Sequence, residues 1–538
     1  MRSNVFKLSA ITATIAASFG AHAAVYNVYP YEPQAADAKT FGVAIQPSAD
    51  GISCWSTNNC NLSTDPEFHE DKQKIAFEEQ VYNQGFSYRD ESPFRLANGY
   101  EYLNQGEPGF DDYCRDLLRY EDSACDEWAA EQYSRGYGNE GAGNNSIAYI
   151  ESYLDKVTNK DNVVVNSFTD GADTALGNFY GGSLTDRSYG YINGSDTPID
   201  RELSGTTYVQ SKVFAKDDTY FVGSVTKPQG SNGDYISYAA LWNNSGDLVD
   251  IYAHSKETNN RWMAQGSLRD VVTFSSAKYI VGYTSDNEPR PVASVFKIDT
   301  PTNSLSLVGQ VSRFSDNSYA SSILTSANKN GLAIGEVKYA TGLERAYPNA
   351  LFYISDLTDP NDSYNTFSGS IFFSGANGKA GAINNNNEVV GQIDYSRLAE
   401  IEGTERDRRA FATVIVDKTK SNAPFKNGAY YLDDLTNGDN ALASNNDFRI
   451  IDATDINDAG VISGTAQYCA GGYSSEAINA SCSQALSLVA VKLVPIQNAD
   501  SSKIQPRTVE STSISRSGGS LGWLALGLLT MLGFRRKQ

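Results

Sequence analysis

The stretch Ala382–Ile393, AINNNNEVVGQI, joins an Asn-rich turn to a hydrophobic strand that ends on Gly391. Asn and Gly tolerate positive φ, so a turn of this composition before a β-prone run predicts a hairpin reversal. The stretch Asp455–Ala466, DINDAGVISGTA, follows the same pattern and ends its strand on Gly464. We interpret the two stretches as copies of one repeated β unit.

Three further hydrophobic strands end on a glycine in the same way, YFVGSV at Gly223, YIVGYT at Gly282 and GLAIGEV at Gly335. Successive glycines lie 53 to 73 residues apart, and each is followed 11 to 21 residues later by an Ala that opens another β run. A degenerate sixth copy begins at Gly177. Repeats of this length predict a mainly β fold of five or six units over residues 161–496, a β-propeller-like array being favoured over an open stack.

The loops between each Gly strand and the following Ala strand vary most in length, so we expect them to gather on one face of the array. The two longest are Asp394–Arg409, DYSRLAEIEGTERDRR, and Gln467–Gln484. The first contains Arg406, Arg408 and Arg409, whose planar guanidinium groups could grip a carboxylate or sulfate of an anionic polysaccharide. The alternative is a charged surface loop that neutralises itself through its own acidic residues, Glu402, Glu405 and Asp407.

The region 24–160 differs in composition, because from about residue 65 it is charged and helical in pattern. A straight helix would place Cys114 and Cys125 about 16 Å apart, beyond the reach of a disulfide. The stretch SACD at Ser123–Asp126 has the spacing of a capping box, which predicts that a second helix starts there. We therefore expect a small helical hairpin, stapled by a disulfide, as an insert in the N-terminal region.

The six cysteines form three close pairs in the sequence, Cys54 and Cys60, Cys114 and Cys125, and Cys469 and Cys482. Six thiols allow 15 connectivities, and local pairing is the simplest of them. Disulfides require an oxidising compartment. A zinc site does not fit the cysteine spacing, and we expect no metal ion or other cofactor.

Strong acidity limits the possible partners. Residues 24–519 carry 38 Lys and Arg and 64 Asp and Glu, a net charge of −26. Such a surface repels phosphate backbones, so nucleic acid is excluded as a partner.

Both ends of the chain have the pattern of targeting segments. Arg2 and Lys7 precede an uncharged run, and the small residues at Ala21–Ala23 predict a secretory signal peptide over residues 1–23 that is cut after Ala23. Residues 497–517 are a Ser/Thr-rich linker. In residues 518–538, Gly518 and Gly519 precede a short apolar run and a basic terminus, which predicts a short membrane-spanning tail.

Two of these features resemble known families. The AINNNNEVVGQI and DINDAGVISGTA units resemble the HAF-type repeat, although YIVGYT lacks its Ile-Asn turn. The C-terminal tail resembles the GlyGly-CTERM sorting signal, which implies processing at Gly518 and Gly519 by a rhombosortase-type protease after removal of the leader by signal peptidase. A permanent membrane anchor is the alternative. The whole chain resembles an uncharacterised gammaproteobacterial family of exported proteins, known only as a domain of unknown function.

This resemblance implies a Sec-exported protein that passes through an inner-membrane intermediate to the cell surface or the medium, and it implies no activity. Asp455–Gly460, DINDAG, is similar to the start of a calcium loop but lacks the later Glu, so a turn is the better interpretation. We predict a binding or structural protein whose ligand is a polysaccharide or a surface protein. The alternative is an acidic hydrolase that uses a pair of carboxylates.

Overall fold

The computed structural model describes residues 24–35, 37–48, 53–56, 73–81, 105–138, 145–151, 156–169, 174–181, 188–229, 234–258, 263–285, 290–415, 421–438 and 443–510. Within these ranges the chain folds into seven antiparallel sheets arranged as the blades of a β-propeller. The mainly β prediction is confirmed. Six of the seven blades lie within residues 161–496, where the sequence predicted five or six units, and the seventh comes from the N-terminal region.

The first three blades use strands of the N-terminal half. Blade 1 consists of β2 (Lys39–Ile45), β3 (Ile75–Gln80) and β4 (Ser146–Ile150), and β1 (Tyr26–Tyr31) precedes it. Blade 2 consists of β5 (Val164–Phe168), β6 (Ala175–Tyr180) and β7 (Ser188–Tyr191). A small separate hairpin, β8 (Glu202–Leu203) with β9 (Thr206–Thr207), leads to blade 3, which consists of β10 (Ser211–Lys216), β11 (Tyr220–Gln229), β12 (Asp234–Asn243) and β13 (Leu248–Tyr252).

The other four blades follow in chain order. Blade 4 contains β14 (Gly266–Phe274), β15 (Ala277–Ser285), β16 (Pro291–Asp299) and β17 (Ser304–Gln310). Blade 5 contains β18 (Tyr319–Ala327), β19 (Ala333–Tyr339), β20 (Asn349–Ile354) and β21 (Tyr364–Thr366). Blade 6 contains β22 (Gly378–Ile383), β23 (Glu388–Asp394), β24 (Arg408–Val414) and β25 (Ala429–Tyr431), and blade 7 contains β26 (Phe448–Ile456), β27 (Ile462–Tyr468) and β28 (Ser487–Pro495).

Helices are few in the described ranges. The helix α1 (Glu107–Tyr113) continues into a π-helical turn (Cys114–Leu118), and α2 (Asp122–Ala129) continues into a second one (Ala130–Tyr137). The short helix α3 (Leu432–Leu435) follows β25, and 3-10 turns lie at Ser312–Ser315, Ala443–Asp447 and Ser501–Lys503.

The two ends of the chain close the ring. Strand β1 pairs antiparallel with β28, so that Tyr26 faces Pro495 and Tyr31 faces Ala490, and it forms the outermost strand of blade 7. The inner strand of blade 7, β26, lies beside β2, the inner strand of blade 1. The boundary predicted near residue 160 is therefore wrong as a boundary of the β domain, because β1 to β4 belong to the propeller.

A bulge in the inner strand explains the repeated glycines. In blades 2 to 7 the pairing of the first two strands skips at least one inner-strand residue next to the glycine of the second strand. A Cβ on any of these glycines would lie under 3.0 Å from an inner-strand carbonyl oxygen just before that bulge. These six glycines are Gly177, Gly223, Gly282, Gly335, Gly391 and Gly464. Only a residue without a side chain allows the carbonyl to approach so closely.

The Asn of the Ile-Asn turn has two roles, one within its blade and one between blades. Asn384 Oδ1 accepts hydrogen bonds from the backbone N–H groups of Asn386 and Glu388, both at 3.0 Å, which caps its own turn. Its Nδ2 donates to the carbonyl oxygen of Asn457 in the next blade, at 2.9 Å. Asn328 donates to the carbonyl of Asn384 in the same way, at 2.9 Å. The predicted turn at Asp455–Gly460 is thus part of a ladder that joins blades 5, 6 and 7.

Two buried carboxylates continue these connections between inner strands. Asp270 Oδ2 accepts a hydrogen bond from the backbone N–H of Ala327 in the next blade, at 2.8 Å. Asp455 Oδ2 accepts one from Ile45 in blade 1, at 2.9 Å. Burial raises the pKa of each of these carboxyl groups to about 6, although the hydrogen bonds lower it in part.

Apolar side chains pack between successive sheets. Val281 and Val295 of blade 4, for example, share one buried cluster with Val337 and Phe352 of blade 5. Because the blades pack face to face around the ring, the alternate inward and outward residues of each strand are both buried, and the strands read as nearly continuous hydrophobic runs.

We expect Gly335→Ala to destabilise the propeller by about 3 kcal/mol or more, since the new Cβ would overlap the carbonyl oxygen of Ile323 and force the bulge apart. Gly309→Ala is the matched control, because its Cβ would first meet a side-chain atom, Cγ of Pro360, at 3.1 Å. Urea unfolding of both variants measures the difference. Equal and small effects would show that the bulge does not require glycine.

The raised pKa of Asp270 and Asp455 predicts a pH dependence of folding. Between about pH 4 and pH 6 the folded state holds protons on these carboxyls that the unfolded state has released, so their contribution makes stability fall as the pH rises through this window. Relative to the double variant Asp270→Asn/Asp455→Asn, the wild type should lose on the order of 2 kcal/mol more between pH 5 and pH 7.5. Asp362→Asn, an exposed aspartate, is the control. The same pH profile in wild type and double variant would contradict the assignment.

Candidate functional site

Three long insertions open on the same side of the ring, whereas the connection 46–74 between β2 and β3 belongs to the opposite side. Because neighbouring strands are antiparallel, the connections between the second and third strands of every blade lie on one face, which we call the loop face. Connections between first and second strands, and between third and fourth strands, lie on the opposite side, the turn face. The α1–α2 hairpin lies between β3 and β4, and the loops 395–407 and 469–486 follow β23 and β27. The expected gathering of the variable loops on one face therefore follows from the strand order.

The hairpin is built around a disulfide. Cys114 and Cys125 are bonded, with Cα atoms 5.5 Å apart, and both side chains are buried. The chain reverses at Arg119, which has a positive φ of 62°. The predicted helical hairpin and its staple are confirmed, but α2 begins one residue before Ser123 and no side chain caps it, so the predicted capping box does not form.

The tip of the hairpin docks on the loop of blade 6. The backbone N–H of Glu121 donates to the carbonyl of Gly403 at 2.9 Å, and that of Glu402 donates to the carbonyl of Arg119 at 3.0 Å. The guanidinium of Arg119 lies 5.8 Å from the ring centre of Tyr347 in the loop of blade 5. Near its base, the aromatic side chains of the hairpin contact Tyr235 in blade 3. The insert from blade 1 therefore crosses the loop face and contacts strand β12 of blade 3 and the loops of blades 5 and 6.

Tyr120 at the tip covers a polar cluster of blade 6. Its side chain is buried, and burial raises its pKa, as do Glu400 and Glu405 nearby. Beneath it, Asn377 Nδ2 donates to Glu400 Oε2 at 2.7 Å and to Asp394 Oδ2 at 3.3 Å, so the two carboxylates share one donor. Burial raises the pKa of Glu400, and the neighbouring Asp394 raises it further. Both carboxyl groups are almost completely buried, so this pair supports the fold of the loop and lacks the open cleft that a hydrolase needs.

The three arginines that were predicted to bind a ligand belong to the same polar cluster of blade 6. The Arg406 side chain is 2% exposed, and its guanidinium donates to the carbonyls of Gly375 at 2.7 Å and Glu344 at 3.1 Å. Arg409 is also buried, with its Nε 3.4 Å from Asp433 Oδ2. Both groups are occupied, so the prediction of exposed binding arginines is wrong for Arg406 and Arg409.

Arg408 agrees in part with each of the two alternatives from the sequence, an arginine that binds a ligand and a charged loop that neutralises itself. Its side chain is 32% exposed and forms ion pairs with Glu405 at 3.2 Å and Asp394 at 3.5 Å. The arginines of this loop are buried because of the two carboxylates under Tyr120, those of Asp394 and Glu400. Once water is removed from these carboxylates, they need cationic or N–H partners. Sequence reasoning missed Asp394, Glu400 and Tyr120, because their contacts join segments that are far apart in the chain.

The segment after β28 also differs from expectation. Residues 497–510, the first part of the predicted linker, pack along blades 6 and 7, and we call them the strap. Arg507 is buried, with Nε donating to the carbonyl of Asp433 at 2.9 Å and Nη1 to that of Glu476 at 2.9 Å. Ile478 N–H donates to the carbonyl of Thr508 at 2.9 Å. The strap therefore ends on the loop face, beside the loop of blade 7.

The disulfide Cys469–Cys482, predicted for the last repeat, is present in that loop with Cα atoms 5.8 Å apart. Cys54 is buried, and its predicted partner Cys60 lies outside the described residues. The processing residues Ala23, Gly518 and Gly519 lie outside them as well. Among the helices that the structure describes, none has the length and apolar character needed to span a bilayer. In the same ranges no group of three His, Cys, Asp or Glu side chains is arranged to hold a metal ion.

The hairpin is negatively charged, and most of its acidic side chains are exposed. Residues 105–138 contain nine Asp and Glu and three Arg. Six of the acidic side chains are exposed, namely Asp112, Asp116, Glu121, Asp122, Asp126 and Glu127. The most prominent insert of the loop face thus presents negative charge outward and holds its tip in place with backbone hydrogen bonds.

Comparison with solved structures gives only remote similarity. A protein titled "Glycoside hydrolase" is 8% identical with a TM-score of 0.23, covering 56% of this chain and 90% of that chain. A thermostable family-43 glycoside hydrolase is 8% identical with a TM-score of 0.25, covering 57% and 95%. An α-L-arabinofuranosidase from Fusarium graminearum is 8% identical with a TM-score of 0.25, covering 52% and 91%. Similarity at this level says nothing about activity.

A comparison with curated proteins gives no match. The sequence profile described as "Protein of unknown function (DUF3466)" matches residues 268–537, from β14 in blade 4 to the C-terminal tail. Because this match spans 270 of the 538 residues, the protein belongs to the DUF3466 family, whose function is unknown.

Proposed function

We propose that this protein is an exported binding protein whose loop face docks a basic surface on another protein. The observation that carries the proposal is the asymmetry of the propeller. The α1–α2 hairpin, the loops 395–407 and 469–486 and both described disulfides lie on the loop face, and in blades 2 to 7 the connections between first and second strands on the turn face are short. A rigid scaffold with stapled, variable loops on one side is typical of a recognition surface.

Charge favours a basic partner over an anionic polysaccharide. The exposed acidic residues of the hairpin would repel a sulfated or carboxylated glycan. Of the arginines that could have attracted one, Arg406 and Arg409 are buried and Arg408 is paired with Glu405 and Asp394. A basic protein surface would gain from these charges both in encounter rate and in orientation. A neutral polysaccharide would gain nothing from them.

Export is supported by several features. Two disulfides form within the described ranges, and such bonds persist in oxidising compartments. Ala24 is fully buried and Val25 N–H donates to the carbonyl of Leu435, so the residue after the proposed cleavage site at Ala23 is already part of the fold. The structural roles of the repeated Asn and Gly residues agree with the HAF-type resemblance.

Processing at the other end is part of the same proposal. Signal peptidase removes residues 1–23, and a rhombosortase-type protease cuts at Gly518 and Gly519 in the GlyGly-CTERM-like tail. The chain is then free at the cell surface or in the medium of a gammaproteobacterial cell. The backbone N–H of Glu510 in the strap donates to Asn479 Oδ1 at 2.7 Å, and seven residues, 511–517, separate it in the sequence from the proposed cleavage site.

The test is an array that carries basic peptides, acidic peptides, neutral glycans and anionic glycans, probed with the purified chain. We expect binding to the basic peptides that weakens as salt is added, because the attraction is between exposed charges. The variant Asp112→Asn/Asp126→Asn/Glu127→Gln should bind at least about fivefold more weakly, since three exposed charges are removed from the hairpin.

The matched control is Asp359→Asn/Asp362→Asn, which removes exposed charges from the turn face between β20 and β21. It should bind like the wild type. Thermal unfolding confirms that every variant is folded. Preferred binding to anionic glycans, or equal losses in the hairpin and control variants, would contradict the proposal.

A further inference from the structure

Blade 4 departs from the repeat at its first hairpin. In blade 5 two residue pairs follow the bulge before the turn that begins at Asn328, whereas in blade 4 five pairs follow it, and Val272 occupies the position of the Asn. The hairpin then closes through Ser275 and Ser276, which have positive φ angles of 47° and 62°. Two-residue turns of this kind usually contain Asn and Gly, because other residues are strained there. The hairpin of blade 4 therefore projects further from the turn face than that of blade 5.

A cavity of about 470 Å³ lies beside this projecting hairpin. Its walls come from the β14–β15 hairpin, from the end of β16 and the turn after it, and from the turn of blade 3. This volume falls within the range of about 300–1,000 Å³ that is usual for small-molecule sites. The cavity is on the turn face, on the opposite side of the ring from the α1–α2 hairpin.

The side of the cavity formed by blade 3 is held by an ion triad. Asp217 Oδ1 caps its own turn by accepting from the N–H groups of Thr219 and Tyr220, both at 2.8 Å. Unlike the Asn of later blades, an Asp has no N–H to donate to the next blade, and Lys278 of blade 4 supplies the link. Its Nζ contacts Asp217 and lies 2.7 Å from Asp218. The hydrogen bond from Lys278 lowers the pKa of Asp218, so this carboxylate is charged at the rim of the cavity.

The opposite wall carries a lysine with a different environment. Lys297 is exposed, its Nζ lies 5.8 Å from the centre of the Tyr279 ring, and no carboxylate of the described residues lies within the 4.0 Å of an ion pair. Two residues further on, Asp299 is exposed and accepts a hydrogen bond from the hydroxyl of Thr302 at 2.5 Å. An unpaired donor and a carboxylate acceptor therefore stand side by side.

We propose that this cavity is a saccharide subsite that takes one hydroxyl-rich sugar ring. An anion would meet Asp218 and Asp299, and a cation would meet Lys278 and Lys297, whereas a neutral polyol can donate to the carboxylates and accept from the lysines at once. Ala277 and Ile298 supply an apolar part of the lining for the C–H face of the ring. The side-chain hydroxyls of Thr273, Ser276 and Thr300 add partners that can donate or accept.

This site is independent of the proposed loop-face partner, because it lies on the opposite side of the ring and uses none of the hairpin residues. The extra length of the blade 4 hairpin, its strained turn and the replaced Asn are departures from the repeat. One side of this hairpin, with Val272 and Phe274, packs against the apolar cluster between blades 4 and 5, and Thr273 and Ser276 line the cavity. Departures of this kind concentrate at functional sites.

The test is saturation-transfer NMR and calorimetric titration of the full chain with glucose, galactose, N-acetylglucosamine and glucuronate as separate probes. We expect at least one neutral sugar to bind with a dissociation constant in the millimolar range or below. Lys297→Met keeps the stem over Tyr279 and removes the donor, and Asp299→Asn removes the charge of the acceptor. Each should weaken binding at least fivefold.

Lys227→Met is the matched control, since Lys227 is an exposed lysine near the loop-face end of β11, outside the cavity. It should bind sugar like the wild type, and all three variants should unfold at the wild-type temperature. Three results would overturn the proposal: no neutral sugar binds up to 50 mM, only glucuronate binds, or sugar binding is the same in the Lys297 and Asp299 variants as in the control.

Discussion

The close approach of an inner-strand carbonyl to a glycine of the second strand is the contact on which the rest of the propeller depends. It occurs in blades 2 to 7 and accompanies the bulge of each inner strand. A bulge adds twist and bends its strand, which lets seven inner strands converge on one axis. In blade 1 the contact at the inner-strand bulge is different. Phe77 lies opposite the bulge, and Gly42 of the inner strand packs against Gly464 of blade 7. The closing interface of the ring is thus as tight as the others, but its glycine lies on the inner strand.

These relationships explain how far sequence reasoning could go. Glycines at the end of hydrophobic strands and Asn-rich turns are local signals, so five blades and part of a sixth could be predicted from them. Blade 1 could not, because the hairpin separates β3 from β4 and Phe77 stands where the other blades have glycine. The disulfides of the hairpin and the last loop were predictable from spacing. The burial of Arg406 was not, because its partners lie outside its own loop, Glu344 in the loop of blade 5 and Gly375 in the connection from blade 5 to blade 6.

The two faces of the propeller differ in how their connections are held in place. On the turn face, the Asn ladder and the buried carboxylates join neighbouring blades, and blade 4 has Val272 in place of the Asn. On the loop face, sequence length is free to vary because the connections there contribute little to the ring. The inserts are therefore held in place by contacts outside the ring, namely two disulfides, a buried ion cluster and the strap.

The pairing of β1 with β28 has a kinetic consequence. Tyr26 and Pro495 are partners in a sheet although 469 positions separate them, and closing a loop of that length costs about 5 kcal/mol of chain entropy. Contacts of such high sequence separation form slowly, so ring closure is a late step of folding. If the chain crosses a membrane from its N-terminus, β1 emerges first and remains unpaired until β28 has followed. During this interval the edges of β1 and β27 are unpaired, and such edges can pair with other chains.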